Sequence, residues 1–284
     1  MSHGREKAVK FGAHSSLIGI VTEPAPGSAS EGKPAFIMLN SGILHRIGSC
    51  RLSVRVARAL SKEGFTCLRF DYSGIGDSGQ RRDTLTFEES SVLETKEAMD
   101  YLAKTKGAAN FVLMGLCSGA DMAHDTAVVD ERVRGLMMLD AWAYRTPAHY
   151  WHHYAPRIFK WQVWKHSIGI RWKMLRGTYR GWRTPAPVVG VEVEVADYIR
   201  VFPPRERVER DLKAFVERGI ALYCLWTGGL MSYNHRGQYA AAFRKVKFGR
   251  LLREEYLPEA DHIVTGLDHQ EYLLRNVVDW AHTL

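Results

Sequence analysis

The chain has 284 residues, 46% of them hydrophobic, and a formal net charge of +8. That size and apolar content suit one large core with an insertion, and no apolar run is long enough to cross a bilayer. The start, Met1-Ser2-His3-Gly4-Arg5-Glu6-Lys7, has no apolar stretch behind it to act as a signal peptide. The four cysteines, Cys50, Cys67, Cys117 and Cys224, lack metal-binding spacing, so the expectation is reduced thiols in the cytoplasm, no metal and no other cofactor.

In chain order, Lys10-Phe11 and Leu17 to Val21 read as a starting hairpin, closed by a turn region from Pro24 to Lys33. Phe36 to Leu39 is a buried strand running into Asn40-Ser41-Gly42. Leu52 to Lys62 has helical periodicity and stops at Gly64. A strand from Thr66 enters the polar, glycine-rich loop Arg69-Phe70-Asp71-Tyr72-Ser73-Gly74-Ile75-Gly76-Asp77-Ser78. A helix follows from Phe87 to Lys104, then the apolar run Phe111 to Met114 and a helix from Ala120 to Val129. Val133 to Leu139, Ala221 to Trp226 and Leu251 to Leu257 supply three more strands, and a last helix ends near Trp280. Strands alternating with helices imply a mostly parallel sheet covered on both faces. No internal repeat or low-complexity segment appears.

Gly115-Leu116-Cys117-Ser118-Gly119 carries the chemistry. It lies between an apolar strand and a helix that starts with small residues. Glycines two places either side of Cys117 leave room for a sharp, strained strand-to-helix turn that holds up a thiolate. A small buried structural cysteine is the plainer alternative. The turn resembles the nucleophile elbow of α/β-hydrolases, with cysteine in place of the usual serine. The loop after Arg69 resembles the one that follows strand 4 in that family, and His262, in Glu259-Ala260-Asp261-His262 before the last helix, stands where the family has its general base. The resemblance implies an α/β-hydrolase fold: a mostly parallel sheet with helices on both faces and a helical cap inserted after strand 6.

About eighty residues separate Leu139 from Ala221, too many for a simple connection. The expected division is therefore a core of residues 1–142 and 215–284 and a cap of 143–214. From Ala141 to Val191 there are nine Lys or Arg and no Asp or Glu, and six of the eight tryptophans lie there too. The remainder is close to neutral, so this insertion accounts for the net positive charge. Such a cap suits an anionic substrate, an acidic acyl carrier protein or another anionic partner. A membrane surface and a merely solvated face with tryptophans packed inward are the alternatives. Nucleic acid is not expected, because no recognisable binding module is present. Trp142, Arg145 and Trp151, near the cap opening, are the candidate substrate contacts.

Asn40 to Arg51, Leu68 to Asp71, Gly115 to Cys117 and the cap opening Ala143 to Tyr154 resemble small α/β-hydrolases of bacterial exosortase systems. Similar cysteine enzymes occur in natural-product clusters as acyl-transfer or thioester-processing proteins. The family's usual acid after strand 7 is missing, since that turn reads Thr227-Gly228-Gly229-Leu230-Met231-Ser232. Asp140, at the end of strand 6, is the expected replacement, with helix capping as its plainer role. Asp261 ranks below it because it points away from its neighbour His262, and a Cys–His dyad without an acid is a further alternative.

The expected site is thus Cys117 as nucleophile, His262 as base and Asp140 as orienting acid. The backbone N–H groups of Ser118 and of the chain near Ile43 would face the oxyanion. The Ser118 hydroxyl is a weaker rival nucleophile, one place off the elbow. The expected activity is acyl transfer or hydrolysis on an ester or carrier-bound thioester. A non-catalytic binding protein and a lactone hydrolase are the alternatives, and the oligomeric state stays open.

Overall fold

A computed structural model describes residues 4–13, 16–158 and 200–284. Eight strands form one sheet: β1 (Glu6–Phe11), β2 (Leu17–Thr22), β3 (Ala35–Met38), β4 (Cys67–Phe70), β5 (Phe111–Leu116), β6 (Val133–Leu139), β7 (Ala221–Thr227) and β8 (Leu252–Leu257). Their order is β1-β2-β4-β3-β5-β6-β7-β8. The β1–β2 hairpin is antiparallel and β2 joins β4 antiparallel, whereas every pairing from β4 to β8 is parallel.

The central strands are apolar on both faces, as a sheet covered on two sides requires. Alternate residues of β5 divide between two cores: Phe111 and Leu113 turn one way, Val112 and Met114 the other. One face is covered by α1 (Leu52–Lys62) and α7 (Leu267–Ala281), which contribute Leu52, Val56, Leu60, Leu273, Val277 and Trp280. The other is covered by α2 (Phe87–Lys106), α3 (Ser118–Val129) and α5 (Arg205–Glu217). A Thr86–Glu89 capping box starts α2, and Gly107 ends it with φ 69°.

Two further helices are α4 (Pro147–Ile158), within the stretch expected as a helical cap, and α6 (Gln238–Ala242), which was not anticipated from the sequence. The His, Tyr and Trp content of α4 gives it weak intrinsic helix preference, so its context rather than its residues marks it as helical. The helix α5 crosses the expected core–cap boundary at 214–215. It buries Val208, Leu212 and Phe215 in the same apolar cluster as α2 and α3, so the chain packs as core from Arg205 onward. Residues 159–199, which hold most of the expected basic, Trp-rich cap, lie outside the described residues. Among the described residues no helix is long and apolar enough to cross a membrane.

Candidate functional site

Parallel strands deliver their C-terminal ends to one edge of the sheet, and the chemistry-bearing residues collect there. Cys117 follows β5 directly, with φ 55° and ψ −120°, a conformation costly for a residue with a side chain. Its N–H still reaches the Leu139 carbonyl at 2.9 Å, while its own carbonyl accepts from Ala120 and Asp121 in the first turn of α3. Both flanking glycines are sterically required. A Cβ on Gly115 would lie 2.1 Å from the Gly119 carbonyl carbon, and one on Gly119 would lie 2.6 Å from the Asn40 carbonyl oxygen. The elbow therefore depends on helix α3 lying almost in contact with β5 and the end of β3.

Asp140 directly follows β6 and also has a positive φ, 45°. Its side chain is fully buried. The Thr227 N–H donates to Oδ1 at 2.7 Å, and the Thr227 hydroxyl donates to Oδ2 at 2.7 Å. His262 completes the set, with Nδ1 donating to Asp140 Oδ2 at 2.6 Å. This leaves Nε2 of the imidazole for Cys117. The hydrogen bond to Asp140, followed by that to Cys117, raises the His262 pKa to about 10. Burial pushes the Cys117 thiol up, but the His262 hydrogen bond, the Arg200 and His262 charges and the Ser118 N–H outweigh it, and the thiol lies below its ordinary value.

The turn after β7 shows why no acid stands there. A Cβ on Gly228 would lie 2.0 Å from the Pro258 carbonyl oxygen, and one on Gly229 would lie 2.6 Å from the His262 nitrogen. The loop bearing His262 thus packs against bare backbone, and a side chain at either glycine would push the imidazole away. Thr227 contributes from this turn by holding Asp140. Asp261 is occupied elsewhere, since both its oxygens accept from Thr265.

The loop after β3 is anchored from below. Asn40 donates to the Leu44 carbonyl at 2.7 Å and accepts from the Tyr72 N–H at 2.8 Å. Buried Asp71 accepts from the Arg46 N–H at 2.6 Å and from the Arg46 guanidinium, which also binds Asp77 at 2.6 Å. Among the described residues, His45, Asp71 and Asp77 are the one group spaced to hold a metal ion, but Arg46 already pairs with both carboxylates.

The expected oxyanion donors are placed differently from each other. The Ser118 N–H is among the groups that lower the Cys117 thiol. In the β3 loop it is the Gly42 N–H, one residue before Ile43, that is tied to the elbow, donating to Ser118 Oγ at 2.8 Å. That contact engages the Ser118 hydroxyl as an acceptor. The Ile43 side chain stands in solvent, 82% exposed.

The three candidate substrate contacts differ in burial. Trp142 is buried in the core with its ring 5.1 Å from His124, an arrangement that serves packing. Arg145 is exposed, and Trp151 is 66% exposed on α4. The functional neighbour that sequence reasoning missed is Arg200. Its Nη1 lies 3.6 Å from the Cys117 sulfur, and its Nε and Nη2 bind Asp121 at 2.7 and 2.6 Å. An arginine 83 positions from its sulfur partner carries no local signature.

An elbow after the fifth strand, a histidine before the last helix and this strand order define one architecture. The chain has the α/β-hydrolase fold. Residues 35–167 match a family model described as the alpha/beta hydrolase fold. No curated protein matches the sequence. Solved structures with this fold include an esterase of Pyrococcus furiosus, 16% identical with a TM-score of 0.59, where the match covers 99% of this chain and 91% of the other. A proline iminopeptidase of Mycobacterium smegmatis is 17% identical with a TM-score of 0.58, covering 98% of each chain. An α/β serine hydrolase without a lid from Xanthomonas campestris is 13% identical with a TM-score of 0.55, covering 97% and 95%.

Proposed function

We propose that this chain is an acyl-transfer enzyme, a hydrolase or acyltransferase, acting through an acyl-cysteine intermediate on an ester or thioester. The observation that carries this reading is the 2.6 Å contact of His262 Nδ1 with buried Asp140, which turns Nε2 toward a cysteine held in a strained elbow. Asp140 keeps the proton on Nδ1 and stabilises the imidazolium.

In the first half-reaction the Cys117 sulfur attacks the carbonyl carbon and a C–S bond forms. The negative charge moves to the carbonyl oxygen, facing the Ser118 N–H and a donor of the β3 loop. The tetrahedral species expels the leaving group, which takes a proton from His262. Water or another acceptor then gives a proton to His262 and attacks the same carbon, and the C–S bond breaks. A thioester donor suits this nucleophile, because sulfur-to-sulfur exchange is nearly balanced and the acyl group stays transferable. The missing acid after β7 is the main support for a non-catalytic binding protein, and Asp140 beside His262 supports the catalytic reading instead.

The basic, Trp-rich composition between residues 141 and 191 supports an anionic donor, such as a carrier-bound thioester. Incubation with p-nitrophenyl acetate and with acetyl and longer acyl thioesters, read by intact mass spectrometry, tests the activity. The expected result is one acyl mass on the wild-type chain and none on Cys117→Ala. No adduct with any donor, together with equal turnover by Cys117→Ala, overturns the proposal.

A further inference from the structure

Arg200 has no part in the steps above, yet its guanidinium is held in one position by four contacts. Nε and Nη2 donate to the two oxygens of Asp121 at 2.7 and 2.6 Å, while Nη1 donates to the Asp140 carbonyl at 2.9 Å and to the Cys117 sulfur at 3.6 Å. The pair is largely buried, with side-chain exposures of 17% for Arg200 and 7% for Asp121. The guanidinium also lies 5.1 Å from the centre of the Phe202 ring.

These contacts narrow what the residue does. The edge an arginine would offer to a substrate carboxylate, Nε with Nη2, is already filled by Asp121. The remaining nitrogen points at a backbone carbonyl and at sulfur. A lysine at this position would keep the positive charge beside the sulfur but would not span all three groups. Burial works against the Arg200 charge, and Asp121 more than offsets it, so the group stays protonated throughout the useful pH range.

We propose that Arg200 is a second cationic partner of the Cys117 sulfur, stabilising it as a thiolate independently of His262, both before attack and when the C–S bond breaks. The proposal rests on Cys117 being the nucleophile, but it concerns the state of the sulfur and not turnover. When the acyl carbon passes to the acceptor, the C–S electron pair returns to sulfur opposite Nη1, and the acceptor's proton goes to His262. A thiolate stabilised by a fixed cation is less basic. Each ion therefore attacks more slowly but leaves more readily, which favours passing the acyl group on.

The trade-off predicts a distinctive pH profile. If removing the cation raises the thiol pKa by about one unit, the thiolate fraction below the midpoint falls about tenfold, while the intrinsic nucleophilicity of each ion rises about threefold. The test is the alkylation rate of Cys117 by iodoacetamide from pH 5 to 10, followed by intact mass, in wild type, Arg200→Lys, Arg200→Gln, Arg200→Met, His262→Ala and the Arg200→Met/His262→Ala double variant.

Arg200→Met and Arg200→Gln should react about threefold more slowly than wild type at low pH and about threefold faster on the alkaline plateau, so that the curves cross. Arg200→Lys should stay near wild type. His262→Ala should keep a midpoint below that of an ordinary cysteine, and the double variant should lose it. Arg200→Gln retains donors without the charge, so it serves where Arg200→Met does not fold, with far-UV circular dichroism and melting as the check. Curves that overlay wild type in folded Arg200→Gln and Arg200→Met overturn the proposal, as does Arg200→Lys behaving like Arg200→Met. Crossing curves in a protein that never forms an acyl adduct would sustain Arg200's role and sink the acyl-transfer reading. An acyl adduct with overlaid curves would do the reverse.

Discussion

Asp140→Asn is nearly isosteric, and its consequences follow from three hydrogen bonds. The Thr227 N–H donates to Oδ1 at 2.7 Å, which obliges an asparagine to keep its oxygen on that side. Its NH2 group then faces the Thr227 hydroxyl, which can rotate to accept, and His262 Nδ1, which lies 2.6 Å from the present Oδ2. Two donors cannot face each other there. The imidazole proton moves to Nε2, where it points at Cys117 and can no longer take up a proton.

A hydrogen bond to a charged group contributes about 1.5–3 kcal/mol, corresponding to roughly 10- to 150-fold in rate. In serine triads the wrong tautomer costs about 10⁴. A thiol is intrinsically more acidic and more nucleophilic, so a loss of about 10²-fold in the second-order acylation rate is expected, measured from the burst of p-nitrophenol release. Thr227→Val removes the hydroxyl, with its bond to Asp140 and the one it accepts from the Gly229 N–H, leaves the backbone N–H, and should lose less than about tenfold. An Asp140→Asn rate within threefold of wild type, with an unshifted pH profile of Cys117 alkylation, would refute Asp140 as the orienting acid.

Three further outcomes are expected. The folded pKa of His262, about 10, lies above its ordinary 6.5, so the imidazolium pair stabilises fully below pH 6.5 and is lost as pH rises toward 10. Cys117 is lowered from 9.0, so its thiolate stabilises fully above pH 9 and that contribution is lost as pH falls through the folded pKa. The two trends oppose each other in wild type; Cys117→Ala removes the second and leaves the first, carried mainly by Asp140, reduced. Its Tm should fall more steeply than wild type between pH 7 and pH 9, and parallel Tm curves would contradict this. Gly119→Ala places a Cβ 2.6 Å from the Asn40 oxygen and must shift α3 away from β3. A loss of about 1–3 kcal/mol in urea unfolding and about 10²-fold in acylation is expected, with a near-normal acylation rate as the contrary result. Finally, raising salt from 50 to 500 mM should lower kcat/KM for an acidic carrier-bound thioester but not for a neutral p-nitrophenyl ester. Equal salt dependence would disconnect the basic insertion from donor capture.

Much of the architecture was legible because it follows from local chain properties. Short runs bounded by turns marked the strands from β2 to β8, β1 was legible only at its Lys10-Phe11 end, and α1 ended where Gly64 allows it. The elbow was readable for the same reason: two glycines spaced around one residue report a steric requirement within five positions. Asp140 was a candidate from its place at a strand end, but the sequence left it in competition with Asp261 and with no acid at all. Only folding fixes Asp261 on Thr265 and brings Asp140 to an imidazole 122 positions away. The core role of Trp142, the membership of α5 in the core and the approach of Arg200 to the sulfur were likewise outside what the sequence could show. Spacing and periodicity record what neighbouring residues require of one another. Which distant groups share a buried charge is decided by the order of strands in the sheet, and by which side chains remain to satisfy one another once water has been removed.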